Sequence, residues 1–447
     1  MDLISLVPQF GGLLWTLLAF VVALSVIVAI HEYGHYIVGR WTGIEAEVFS
    51  LGFGPVLFTR MDRRGTRWQI AALPLGGYVK FKGDANAASG TDPEKLSRMN
   101  EEEKRHTMAG APLWARSLTV AAGPAFNFAL SILIFTGVFM LRGAPMEPLT
   151  VGEMRELPVA GALQEGDEIL AIAGTPPPAF DTPEGFQSFA DNVPREALID
   201  FRVRRDGSDM VVEGPYPYPP VVTQVIPRSA AFETGLRAGD VITAVEGEPI
   251  VAFEELREVV ESSDGAELSL TVWRGGETME MTLAPKRMDE PQPDGGFVTH
   301  WRIGIVGGLA FEPATEIVGP VEAFTSGVAQ TATIIQGSLS GLWHMITGAI
   351  STCNLSGPVG IAETSGAMAA QGATSFIWFI AVLSTAVGLL NLFPIPVLDG
   401  GHLVFYAYEA VAGRPPSDQA LQVLMGAGLV LILGLMAFAL TNDIFCP

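Results

Sequence analysis

The chain has 447 residues, 49% hydrophobic and 17% charged, with a mean hydropathy of +0.36. These values exclude an ordinary soluble enzyme and fit a membrane protein carrying a sizeable soluble part. The formal net charge of -22 argues against nucleic acid as a partner and against an anionic-lipid-binding surface overall. Residues 40–116 hold 12 basic and 9 acidic side chains, whereas 142–316 hold 13 basic and 31 acidic. Because basic loops tend to stay inside, the first stretch reads as cytoplasmic and the second as exported. Cys353 and Cys446 are the only cysteines, too few for a Cys-based zinc site or a disulfide framework. Met1-Asp2 supplies no basic region before the first apolar run, so that run is not read as a cleavable signal peptide.

Residues 1–40 form the first membrane element. Gly11 to Ile30 is uncharged, and 20 helical residues cross roughly 30 Å of hydrocarbon. The span leads directly into His31-Glu32-Tyr33-Gly34-His35. Histidines four apart on a helix share one face and can reach one tetrahedral ion, and the glutamate between them can hold and deprotonate water. Residues 41–113 change character: alternating apolar residues and the turn Asp62-Arg63-Arg64-Gly65 predict short strands and hairpins over 45–82. A polar cytoplasmic loop with one short helix is expected to follow.

Residues 114–142 are a second span, flanked by Arg116 and Arg142. Gly123-Pro124 within it is either a helix contact or a site-lining element. Asn127 is costly in lipid and must face protein or a polar cavity. An internal repeat follows. Ala162-Leu163, Gly166-Asp167, Ile169 and Gly174 recur 73 positions later as Gly235-Leu236, Gly239-Asp240, Ile242 and Gly247. The two units, 145–215 and 219–290, look like PDZ domains, which accept extended peptides by strand addition; peptide capture and a steric gate are the two readings. Residues 320–362 are read as interfacial helices.

Residues 376–412 form the next span, broken by Pro394 and Pro396 just before Asp399-Gly400-Gly401. An acid at membrane depth points to function. If Asp399 meets the ion held by His31 and His35, both spans run the same way and an even number of crossings separates them. Four spans result, the last over 419–441. Two imidazoles, one carboxylate and an open fourth position make the catalytic rather than the structural zinc arrangement.

Together, the HExxH stretch, Gly123-Pro124 to Asn127, the paired repeats, Gly357-Pro358-Val359-Gly360 and Asn391 through Gly400 resemble the site-2 protease family of intramembrane zinc metalloproteases. The resemblance implies a polytopic α-helical membrane protein with four transmembrane helices, a membrane-associated β-hairpin region and two exported PDZ-like α+β domains. It implies Zn2+ on His31, His35 and Asp399, with Glu32 as catalytic base. Asn391 would contact the substrate backbone, and the strands over 45–82 would hold the substrate extended. Candidate substrate contacts are Asn391, Asn127, Gly76, Gly77 and Tyr78. It further implies a bacterial inner-membrane location, transmembrane substrates of the anti-sigma-factor type, remnant signal peptides as a second substrate class, and exported peptide ends as partners of the repeats.

Two other classes fit parts of the sequence: a catalytically silent scaffold and a metal transporter. Glu32 between the histidines favours hydrolysis over both. Finally, Cys353 and Cys446 both fall on the exported, oxidising side and are candidates for a disulfide.

Overall fold

In this computed structural model the described residues are 7–84, 93–177, 189, 193–292 and 296–446. They form two compact units. One holds residues 1–138, 321–343 and 352–446; the other holds 139–320 and 344–351.

The first unit contains the membrane helices. Helix α1 (Val7–Trp41) is followed by strands β1 (Ala46–Met61) and β2 (Arg67–Phe81), and by two short helices, α2 (Pro93–Ser97) and α3 (Glu101–Arg105), where one was expected. Helix α4 (Leu113–Arg142) continues through Pro124. Among the described residues, four helices are long and apolar enough to cross a membrane: Gly12–Trp41, Leu113–Arg142, Ala373–Asn391 and Asp418–Phe445.

The hairpin is a single element, not several short ones. The first half of β1 pairs on both sides, Phe49 with Val79 and with Trp68, and Leu51 with Gly77 and with Ile70, while Phe58 pairs with Ile70. Both strands therefore fold back, giving a four-stranded antiparallel sheet in the order 77–81, 46–51, 67–71, 56–61. Gly52, Gly54 and Gly76 take positive φ at the bend. A Cβ at Gly76 would lie 2.4 Å from the Phe53 ring, so only glycine fits there.

In the second unit, β3 (Ala144–Pro145), β4 (Val151–Met154), β5 (Glu168–Ile172), β6 (Leu198–Arg205) and β7 (Ser208–Pro215) precede β8 (Gln224–Val225), α5 (Ala230–Thr234), β9 (Val241–Val245) and β10 (Glu248–Pro249). Next come α6 (Phe253–Ser262), β11 (Leu268–Arg274), β12 (Glu277–Leu283), β13 (Lys286–Pro291), β14 (Phe297–Arg302), β15 (Ile305–Val306), β16 (Phe311–Pro313) and β17 (Thr315–Glu316). The repeats carry a β5-β6-β7 sheet and a β10-β9-β11-β12 sheet. The counterpart of α6 in the first repeat falls on 178–192, outside the described residues apart from Phe189.

The repeated Gly-Asp has a structural reason. Asp167, fully buried, receives Arg205 Nε and Nη2 at 2.6 Å each, and Asp240 receives Arg274 Nε at 2.6 Å and Nη2 at 2.7 Å. This bidentate clamp is the same in both repeats. Residues after 290, outside both expected boundaries, complete the units: β16 pairs with β4, and β15 with β8.

Helices α7 (Pro320–Ile346), α8 (Pro358–Ala370), α9 (Ala373–Asn391), α10 (Asp399–Ala412) and α11 (Asp418–Phe445) close the chain. Gly327 on α7 packs against Ile132 and Thr136 of α4, and Gly366 on α8 against Thr16 of α1. Small residues at these crossings let backbones approach closely.

Candidate metal centre

Three elements converge on one point. Near the C-terminal end of α1, His31 and His35 sit one turn apart with their Nε2 atoms 3.2 Å from each other. Pro394 and Pro396 break the chain between α9 and α10, so that Asp399 opens a new helix. A Cβ on Gly400 would lie 2.3 Å from the Leu392 carbonyl, and one on Gly401 2.3 Å from that of Ile395. Only glycines let the broken backbone fold this tightly against the helix start. Asp399 Oδ2 is thereby brought 3.2 Å from His31 Nε2 and 3.4 Å from His35 Nε2.

The donor set fits zinc. A tetrahedral ion with bonds of about 2.0–2.1 Å holds its ligands about 3.3–3.4 Å apart, close to the separations here. Asp399 Oδ2 is buried without a hydrogen-bond partner, as expected of an atom reserved for a cation. Among the described residues, His31, His35 and Asp399 are the group able to hold a metal ion. His402, on the next turn of α10, stands outside it, consistent with a supporting role.

Helix α4 orients the imidazoles. His35 Nδ1–H donates to the Thr119 carbonyl at 2.9 Å, which leaves Nε2 with its lone pair facing the centre. The Asn127 amide lies 3.2 Å from His31 Nδ1. For His31 to ligate through Nε2, its Nδ1 carries the proton and Asn127 presents its oxygen. Asn127 is fully buried, with its amide set against the His31 ring. Gly123 forms the floor, where a Cβ would lie 2.3 Å from His35 Nε2 and 2.8 Å from His31 Cε1.

Glu32 faces the hairpin. Its carboxylate lies beside the Val79 backbone and near His35, His31 and Asp399. A Cβ on Gly77 would lie 3.2 Å from Glu32 Cγ and 3.0 Å from Val28. The sheet edge 77–81 therefore runs beside the general-base candidate. Tyr78 turns to the opposite face, where its hydroxyl accepts from Gln69 Nε2 at 3.2 Å, so only its backbone adjoins the centre. Asn391 closes α9, with its amide donating to the Val387 carbonyl at 3.0 Å.

The sequence profile of peptidase family M50 matches residues 19–435. The chain belongs to peptidase family M50. A protein of Agrobacterium fabrum named as a zinc metalloprotease is 38% identical over 441 residues, 98% of each chain. The regulator of sigma-E protease RseP of Escherichia coli is 34% identical over 465 residues, covering 96% of this chain and 98% of its own. The Salmonella typhimurium protein of that name is 32% identical over 461 residues. This M50 member is thus an intramembrane zinc metalloprotease of the site-2 protease type, a multi-pass protein of the inner membrane.

Two features of this M50 centre carried no signal in the sequence. Thr119 acts through a backbone carbonyl, which any residue supplies. Arg116 on α4 forms a bidentate pair with Glu409 on α10, at 2.7 and 3.1 Å. It fastens the helix carrying Asp399 to the helix carrying Gly123. Residues 293 apart pair only through folding.

Proposed function

We propose that this protease hydrolyses peptide bonds in single-span membrane proteins, with zinc held by His31, His35 and Asp399 and with Glu32 as general base. The observation that carries the reading is the convergence of three donor atoms beside Glu32 and an open sheet edge. Bound zinc supplies a Lewis acid that acidifies water and polarises the scissile carbonyl. Glu32 takes the proton of the attacking water and delivers it to the leaving amine nitrogen. Thr119 and Asn127 keep both imidazoles in the tautomer that offers Nε2.

A helical substrate hides its peptide bonds in its own hydrogen-bond ladder, so local unwinding must precede cleavage. The edge at Gly76, Gly77 and Val79 offers the unwound segment new backbone partners by strand addition, and Asn391 contacts the same segment. An anti-sigma factor is the first substrate class, in keeping with relatives named as regulators of sigma-E, and remnant signal peptides are the second. The excess of acidic residues over 142–316 supports a periplasmic place for the two repeats, with the metal centre toward the cytoplasmic face. As PDZ-like domains the repeats would take exported peptide ends or exclude bulky exported domains.

Glu32→Gln tests the assignment. Purified variant should keep its zinc and lose cleavage of a test transmembrane peptide by about 10²–10⁴-fold. Cleavage at the wild-type rate would falsify the base assignment.

A further inference from the structure

The α1-facing side of the folded-back sheet, which presents Gly77 to Glu32, continues across to the outer strand 56–61. A groove of about 510 Å³ lies on it, floored by Phe49, Phe58, Trp68 and Ile70, with Arg60, Asp62 and Arg63 along the lining. Its position relative to the membrane helix follows from two contacts. Asp62 at the turn accepts from Tyr36 Oη at 3.0 Å and from Arg40 Nη1 at 3.2 Å, which fastens the turn to the last residues of α1. Gly77, near the bend, lies against Val28, eight residues earlier than Tyr36 and about 12 Å along the helix. The outer strand 56–61 thus runs along the direction of the span, from bend to turn.

Its chemistry changes along that direction. Val56, Leu57 and Phe58 are 49%, 71% and 59% exposed, and Arg60 and Arg63 follow. Val56 to Arg60 covers about 14 Å of extended chain, close to the roughly 15 Å of one leaflet's hydrocarbon. Among the described residues, Arg60, Arg63, Arg64 and Arg67 form no ion pair, although acidic side chains outnumber basic ones 48 to 26 in the chain. Exposed guanidinium groups beside exposed apolar side chains match an amphiphile with an anionic head.

We propose that this groove is a binding site for an anionic phospholipid, its phosphate on Arg60 and Arg63 and an acyl chain along Phe58 and Ile70. Trp68 in the floor makes the site readable. The full chain is reconstituted in phosphatidylcholine bilayers containing a minor fraction of brominated-chain phosphatidylglycerol. Quenching assigned to Trp68 is the difference between wild type and Trp68→Phe. Phosphatidylglycerol should quench well beyond its share of the bilayer, by about fivefold per arginine engaged. Arg60→Gln with Arg63→Gln should bring quenching down to that of brominated phosphatidylcholine, while Arg60→Lys with Arg63→Lys should preserve most of it. Zinc content reports intact folding of both variants. Equal quenching by the two lipids in wild type, or an unchanged preference in the glutamine variant, overturns the proposal. So does relief of quenching by a substrate transmembrane peptide irrespective of arginine charge, which would assign the groove to substrate.

Discussion

Gly123 is the residue on which the centre is most sensitive to a single methyl group. It lies on α4, and its missing side chain leaves room for the His35 and His31 rings. Gly123→Ala would drive a carbon into His35 Nε2, on a ring already held through Nδ1 by the Thr119 carbonyl. We expect the variant to fold but to bind zinc about 10–100-fold more weakly, measured by metal content after dialysis against a graded chelator. Full zinc retention would contradict the floor assignment. Asp84 makes a different prediction at the same scale. It is 4% exposed, and burial pushes its carboxyl up to about 7 despite the Phe81 N–H at 3.1 Å. A raised folded value means the stabilisation is complete below about pH 4 and is lost as the pH rises through about 7. Thermal unfolding in detergent should therefore move to lower temperature across that window, and Asp84→Asn should remove the slope. An equal slope in the variant would exclude Asp84 as its source.

The pair between α4 and α10 is the clearest case of elements held in register for chemistry. Arg116 and Glu409 retain only 15% and 18% of their exposure, and Arg116 also lies 5.2 Å from the Tyr406 ring centroid. Glu409→Gln should cost about 2–3 kcal/mol, somewhat below the range for fully buried pairs because some exposure remains. The swap Arg116→Glu with Glu409→Arg should recover part of it. Thermal stabilities of the wild type, Arg116→Glu, Glu409→Arg and the swap form the cycle, and strict additivity would mean that the pair does not couple the helices. The hairpin shows what sequence pattern leaves open. Alternation and a charged turn marked strands over 45–82, and the strands are there. That β1 pairs on both sides and bends at Gly52 and Gly76 depends on contacts with α1, which pattern does not encode.

Across the whole molecule, the last turn of α11 gathers the end of the chain. Cys446 bonds Cys353 across 93 residues, the disulfide for which the two cysteines were candidates. Asn442 donates to the Thr352 carbonyl at 2.8 Å. Asp443 accepts from the backbone N–H groups of Gly357, Val359 and Gly360, capping the first turn of α8, which in turn packs on α1. This explains the Gly357-Pro358-Val359-Gly360 stretch structurally. Closing a loop of that length stabilises by at most about 4–5 kcal/mol. Reduction, or Cys446→Ser, should lower the melting temperature, with thiol labelling as the control. Quantitative labelling of both cysteines in unreduced protein would refute the bond.

The sequence by itself determined the chemistry and the spans. Histidines four apart share a helix face by helical geometry, twenty uncharged residues cross a bilayer by length, and two prolines before an acid break a helix wherever they occur. These are local rules, readable without contacts. Only the tertiary structure decided which backbone carbonyl holds His35, that Asn127 lies against His31, and that Gly123 leaves room for the rings. It also decided that β15 and β16 complete the two repeats from beyond their expected ends. Each of these joins residues distant in the chain through a side chain or backbone group whose type is common and whose partner is set by packing alone.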